Sequence, residues 1–175
     1  MRPAGTDAMR QLQRITTEYV EAEDRIRLCG ETESGETAVL WLTRRLLARL
    51  VPHLCDWLTQ SAGDDARAAL LNGFAQQAAA GALVPQPPVR AAAEGGKRVV
   101  RSIDVTVGGA AVQLAFRCDD GADAGLVLQA TPLRQWLGIL HAQCLKGEWP
   151  ATDWPAWIAE GRLPVSAGGG AVVLH

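Results

Sequence analysis

One stretch, residues 36–58, constrains the fold more than any other part of this chain. It reads ETAVLWLTRRLLARLVPHLCDWL, a short apolar run followed at Thr43 by a long amphipathic run. The first run is apolar on both faces, which predicts a strand that is covered on both sides. The second run has Thr43 as a candidate N-cap, and Pro52 is expected to kink the helix or split it. Its apolar residues fall at helical spacing: Leu47, Leu50, Val51, Leu54 and Leu58.

Patterns on both sides of this stretch predict an α+β domain. Residues 12–42 and 98–130 read as two antiparallel meanders, which together give a sheet of about six strands. Residues 43–81 predict a helical hairpin inserted between the meanders, and residues 131–147 predict a C-terminal helix. We therefore expect an antiparallel sheet with the helices packed mainly on one side.

The later helices carry their own signals. In the last helix, Thr131 is the predicted N-cap, Pro132 takes the first helical position and Gly147 ends the helix. The second helix of the hairpin is expected to pack on the first through an inner apolar stripe: Leu70, Leu71, Phe74 and Ala78.

The chain divides into one domain with two appendages. Its 175 residues suit a single core, which we place at residues 9–148, with a Pro/Gly-rich loop at 84–97. Residues 1–8 read as a flexible tail. Residues 149–175 form a Trp-rich extension that packs on the domain or on a partner. Within it, Ala171–His175 can add an edge strand or fray.

The composition of the chain and the lengths of its apolar runs favour a soluble protein of the cytoplasm. Hydrophobic residues make up 48% of the chain, no apolar run approaches the length of a membrane span, and the N-terminus lacks a signal-peptide core. The four cysteines form no CxxC pair, so we read them as reduced, buried thiols. An Ala-rich composition with nearly all basic residues Arg is typical of a GC-rich bacterial genome. The net charge of −2 disfavours a nucleic acid as partner.

Few residues offer catalytic or metal chemistry. His141 and Cys144 lie three apart and share a helix face, so they are the one local pair for a metal ligand set or an activated nucleophile. Close ligand pairs and a strained turn are both missing, which favours a core thiol and a hydrogen-bonded imidazole. Asp119, Asp120 and Asp123 form an acidic turn without the Glu of a calcium loop, so we read it as solvated. No cofactor is predicted.

Two clusters could form an interaction surface. Trp149, Trp154 and Trp157 crowd the extension, and tryptophan is enriched at binding hot spots. They either fold back on the domain core or face a partner. A second cluster lies on the first helix, where it could contact phosphates or be an ordinary solvated face: Arg44, Arg45 and Arg49.

The element order resembles the head domains of the superfamily that includes the end-joining repair scaffolds and the centriolar cartwheel scaffold. Those heads also place a helical pair between two antiparallel meanders and finish on a helix. The resemblance covers residues 12–147 and is one of topology, without a shared motif. In that family the last helix continues into a dimerising coiled coil, whereas Gly147 and Pro150 end it here. The resemblance implies a scaffold or adaptor role.

Taken together, these features predict a non-catalytic protein–protein interaction or scaffold module that forms a homo-oligomer, such as a homodimer. One alternative is a small-ligand-binding protein or enzyme with a pocket near His141 and Cys144. Another is weak nucleic-acid binding through Arg44, Arg45 and Arg49.

Overall fold

A computed structural model describes residues 9–60, 66–91, 98–150, 154–161 and 173–174. The predicted tail at residues 1–8 lies outside them. The strands are β1 (Arg10–Val20), β2 (Arg25–Thr32), β3 (Thr37–Leu42), β4 (Arg98–Val107), β5 (Ala111–Cys118), β6 (Ala124–Gln129) and β7 (Val173–Leu174). The helices are α1 (Arg44–Gln60), α2 (Ala66–Gly81), α3 (Ala130–Lys146) and α4 (Ala156–Glu160), with a 3₁₀ turn at Glu21–Glu23.

The fold is α+β, as predicted, but its sheet is closed and mixed. The two meanders, β1-β2-β3 and β4-β5-β6, are antiparallel within themselves. β3 joins β4 in parallel, and β6 joins β1 in parallel, so the six strands close into a barrel. The prediction of an antiparallel sheet is wrong at these two parallel joins, which close the sheet. A crossover that contains α1 and α2 separates β3 from β4, and β4 begins beside Leu40 and continues in the direction of β3.

The stretch at residues 36–58 forms the predicted strand and helix. The Thr43 hydroxyl accepts a hydrogen bond from the Leu46 amide at 3.3 Å, which confirms the N-cap. The helix α1 continues through Pro52 as one element, so the predicted split does not occur. Its five predicted core residues are all buried, together with Cys55.

The strand β3 is covered on both faces, as its sequence predicted. Ala38, Leu40 and Leu42 join the main core, which contains residues of α1 and α3. On the opposite face, Val39 and Trp41 pack with Val89 of the Pro-rich loop. The described part of this loop, up to residue 91, therefore covers part of the outer face of the first meander.

The helix α3 is buried along most of its length. Trp136 is fully buried and its indole donates a hydrogen bond to the Thr17 hydroxyl at 3.1 Å, which ties α3 to β1. The helix begins at Ala130, with Gln129 as the N-cap residue, so the prediction of Thr131 as N-cap is wrong. Pro132 is the third residue of the helix rather than the first as predicted, and it fits because the first turn of a helix has amides without helical partners.

The C-terminal part of the described chain adds two small elements. α4 packs on α2 and α3, and β7 pairs antiparallel with β1, with Thr16 opposite Val173. The C-terminal segment therefore contributes an edge strand. Within the described residues, no helix combines the length and apolarity needed to cross a bilayer.

Candidate functional site

The side of α2 that faces solvent is its apolar side. Leu70 is 60% exposed, Leu71 47% and Phe74 57%, and Ala78 is exposed as well. The prediction that these four residues form an inner stripe is therefore wrong. α2 packs mainly on α3 and α4 rather than on α1. Its buried side is made of small and polar residues: Ala68, Asn72, Gly73, Gln76, Ala79 and Ala80.

Hydrogen bonds to α3 hold α2 in this orientation. Asn72 and Gln76 are almost fully buried. The Arg134 guanidinium donates from Nη2 to Asn72 Oδ1 at 2.7 Å, and Gln76 Nε2 donates to the Arg134 carbonyl at 2.8 Å. Gln135 Nε2 donates to the Ala79 carbonyl at 3.0 Å. Rotating α2 to bury its leucines would break these bonds, and each buried polar group left unpaired costs about 1–3 kcal/mol.

The helix α4 also packs on the buried side of α2. The Arg134 guanidinium lies over the Trp157 ring, 5.2 Å from its centre, in cation–π geometry. Burial lowers the pKa of this guanidinium, and the groups that contact it here are neutral. A Cβ on Gly161 would lie 2.4 Å from Gln76 Cγ, so the chain needs a glycine at this close approach. The underside of α2 is thus tightly packed, while its outer side is open.

The tail tryptophans lie against their own domain. Trp149 and Trp157 are buried in the main core, and Trp154 is half-buried at its edge. The Trp149 indole donates to Asp24 Oδ1 at 2.9 Å and packs edge-on against Tyr19. Hydrogen bonds from Trp149 and Tyr19 lower the pKa of Asp24. Of the two readings left open by the sequence, these positions match the extension folding back on the domain.

The three arginines of α1 lie on its solvent-exposed side. Arg44, Arg45 and Arg49 are all exposed, as an amphipathic helix predicts. Arg44 also borders a cavity of about 170 Å³ between α1 and the extension. Leu47, Val51 and Cys144 are among its other walls, with Trp149 and Trp154 at the extension side. Of the two residues of the predicted ligand pocket, Cys144 lines this cavity and His141 does not.

His141 and Cys144 are both buried on α3. The His141 ring packs edge-on against Trp154, with 5.1 Å between ring centres. Burial raises the pKa of Cys144 to about 12, so its thiol is protonated at neutral pH and is a poor nucleophile. The part of the chain described by the structure contains no group of three or more side chains suited to hold a metal ion.

The acidic turn is neutralised by arginines. Asp120 accepts from Arg98 at 2.7 Å, Asp123 accepts from Arg117 at 2.7 Å, and Asp119 pairs with an exposed arginine of β4. These contacts lower the pKa values of Asp120 and Asp123. Their carboxylates are engaged as surface ion pairs, which is consistent with the predicted solvated turn.

Comparison with protein-family models, with curated proteins and with solved structures gave no match. The resemblance in element order therefore stays a prediction.

The exposed face of α2 was not predicted from the sequence, although the sequence contains a signal for it. The helix carries two stripes, one bulky and apolar, the other small with Asn72 and Gln76 four residues apart. Small residues allow helices to approach closely, so either stripe could have been the buried one.

Proposed function

We propose that this chain is a non-catalytic protein–protein interaction module. Its contact surface is the outer face of α2, which is formed by the exposed residues Leu70, Leu71, Phe74 and Ala78. The observation that carries the proposal is the orientation of α2: bulky apolar side chains face solvent while Asn72 and Gln76 are buried and hydrogen-bonded. A helix that gains stability only from its own domain would bury the bulky side. Contiguous exposed apolar groups on a protein surface mark interaction sites.

The charge distribution supports the same face. The outer side of α1 carries three exposed arginines, as surface helices commonly do. By contrast, no charged residue occurs between Arg67 and Arg90, a range that includes most of α2 and the first residues of the loop after it. Interface centres are depleted in charge and enriched in aromatic side chains such as Phe74.

The catalytic alternative has weaker support. Burial raises the pKa of its candidate nucleophile, Cys144, to about 12. Burial also raises the pKa of Cys55 to about 12. An activated thiol needs a lowered pKa. Burial also raises the pKa values of Cys29 and Cys118. The four thiols therefore behave as core residues.

Site-specific photo-crosslinking tests the proposal. Benzoylphenylalanine would replace Phe74 in one variant and Val127 of β6 in another, because Val127 is similarly exposed at 54%. After irradiation in the native cells, position 74 should give discrete adducts, identified by mass spectrometry, and position 127 should not. An absence of discrete adducts at position 74, or the same adducts at both positions, would refute the α2 face as a contact surface.

A further inference from the structure

We infer that the outer face of α2 binds the α2 of a second copy of this chain, in antiparallel orientation about a two-fold axis. The inference rests on the proposed function and names the partner. Its basis is the order of residues along the helix. On this face the bulky side chains lie toward the N-terminal end, and the small ones follow toward the C-terminal end and just beyond it: Leu70, Leu71 and Phe74, then Ala78, Gly81 and Ala82.

These residues share one face and are all exposed. Phe74 lies three and four residues after the leucine pair, Ala78 lies four residues after Phe74, and Gly81 and Ala82 lie three and four residues after Ala78, which is the spacing that aligns side chains along a helix. A two-fold interface is self-complementary, because residue i of one copy contacts residue j of the other and the reverse. A face with a bulky half and a small half is its own complement when two copies run antiparallel.

A single register satisfies every pair. With Phe74 opposite Ala78 of the second copy, Leu71 falls opposite Gly81 and Leu70 opposite Ala82. Each bulky side chain then meets a small one, which is how facing helices interdigitate. The space above Gly81 is open in the single chain, since a Cβ there would meet nothing within 4 Å. That space is where the leucine of the second copy would lie.

The charges agree with this register. Arg67 is the one charged residue on the outer side of α2. In the antiparallel pair it lies beside the C-terminal end of the other α2, where the helix dipole favours a cation. No like charges are brought together along the helix pair, because both faces are uncharged from residue 68 to residue 89.

The outer face of α2 offers a small area for contact with a second copy. Phe74 alone exposes on the order of 100 Å² of surface, given its 57% exposure and the size of an aromatic side chain. The whole bulky half then offers on the order of 300 Å² per copy, below the roughly 800 Å² per partner of a standard interface. We therefore expect a reversible, concentration-dependent dimer.

The test uses the full chain and two charge variants. Phe74→Lys and Ala78→Glu each place a charge in the pair between the two copies, and both positions are exposed in the single chain. Light scattering over a dilution series should show a dimer for the unaltered protein. Each variant should weaken self-association by about thirtyfold or more, the effect of losing a central contact. Val127→Lys on β6 is the control and should dimerise like the unaltered protein.

Mixing the variants tests the register. In an antiparallel pair of one Phe74→Lys chain and one Ala78→Glu chain, the lysine faces the glutamate, while the other half of the contact is unaltered. The mixture should therefore recover dimer that neither variant forms alone. Urea unfolding of each variant at high dilution should show the single cooperative transition of the unaltered protein, with only the small shift in midpoint expected for changing a partly exposed side chain, which excludes misfolding as the cause of dissociation.

Three results would overturn the inference: an unaltered protein that stays monomeric, variants that still dimerise, or a mixture that recovers no dimer. The proposed function has a separate outcome. If the unaltered protein is monomeric but position 74 crosslinks to a different protein, the face is still a contact surface and only the identity of the partner is wrong.

Discussion

Because of the orientation of α2, two substitutions on this helix should lower the free energy of unfolding by different amounts. Leu70→Gln changes a residue that is 60% exposed, and Ala79→Leu changes a residue that is 3% exposed and faces α3. Leu and Gln have similar helix propensities, so the first substitution tests burial alone. Full burial of a leucine is worth about 1.5–3 kcal/mol, and at most two-fifths of the Leu70 surface is buried. We expect Leu70→Gln to cost about 1 kcal/mol or less.

The second substitution should cost more. Ala79 lies in the contact with α3, where its carbonyl accepts a hydrogen bond from Gln135. Adding three carbons there should lower the free energy of unfolding by about 1–3 kcal/mol through overpacking. If α2 instead buried its leucines, Leu70→Gln would cost about 2–5 kcal/mol, while Ala79→Leu would fall within about 0.5 kcal/mol of zero.

Urea unfolding followed by far-UV circular dichroism measures both values. The protein must be dilute enough that self-association contributes nothing, which a repeat at lower concentration checks. A larger loss for Leu70→Gln than for Ala79→Leu would refute the orientation of α2, and with it the basis of the proposed surface.

Two further predictions concern titratable groups. Hydrogen bonds from Trp149 and Tyr19 lower the pKa of Asp24 in the folded chain. The carboxylate of Asp24 therefore stabilises the fold at any pH above the pKa that it has in the unfolded chain. This stability is lost as the pH falls through the lower pKa of the folded chain. Asp24→Asn should therefore be less stable than the unaltered protein at pH 7, with the difference shrinking in acid; a difference independent of pH would contradict this. The second prediction concerns Cys144, which should not react with a thiol reagent in the folded protein at pH 7, because burial raises its pKa to about 12. Labelling in guanidinium chloride is the control, and fast native labelling at Cys144 that a small ligand suppresses would favour the enzyme alternative.

Local patterns in the sequence were sufficient to predict the elements. The apolar run and the amphipathic run at residues 36–58 specify β3 and α1, because a strand covered on both faces and a helix with one apolar face leave different periodicities. Thr43 caps the helix as expected, since an N-cap bond involves only neighbouring residues. The order of strands and helices follows from the same local signals.

Tertiary structure decided what these elements contact. The parallel joins that close the barrel bring residues 40–41 beside 98–99 and residues 10–12 beside 124–126, and no local pattern encodes such distant pairings. The orientation of α2 depends on Arg134, more than fifty residues away, which supplies the hydrogen bond that lets Asn72 be buried. By its own sequence α2 could bury either stripe. The partners offered by α3 and α4 made the polar stripe the buried one and left the apolar stripe in solvent.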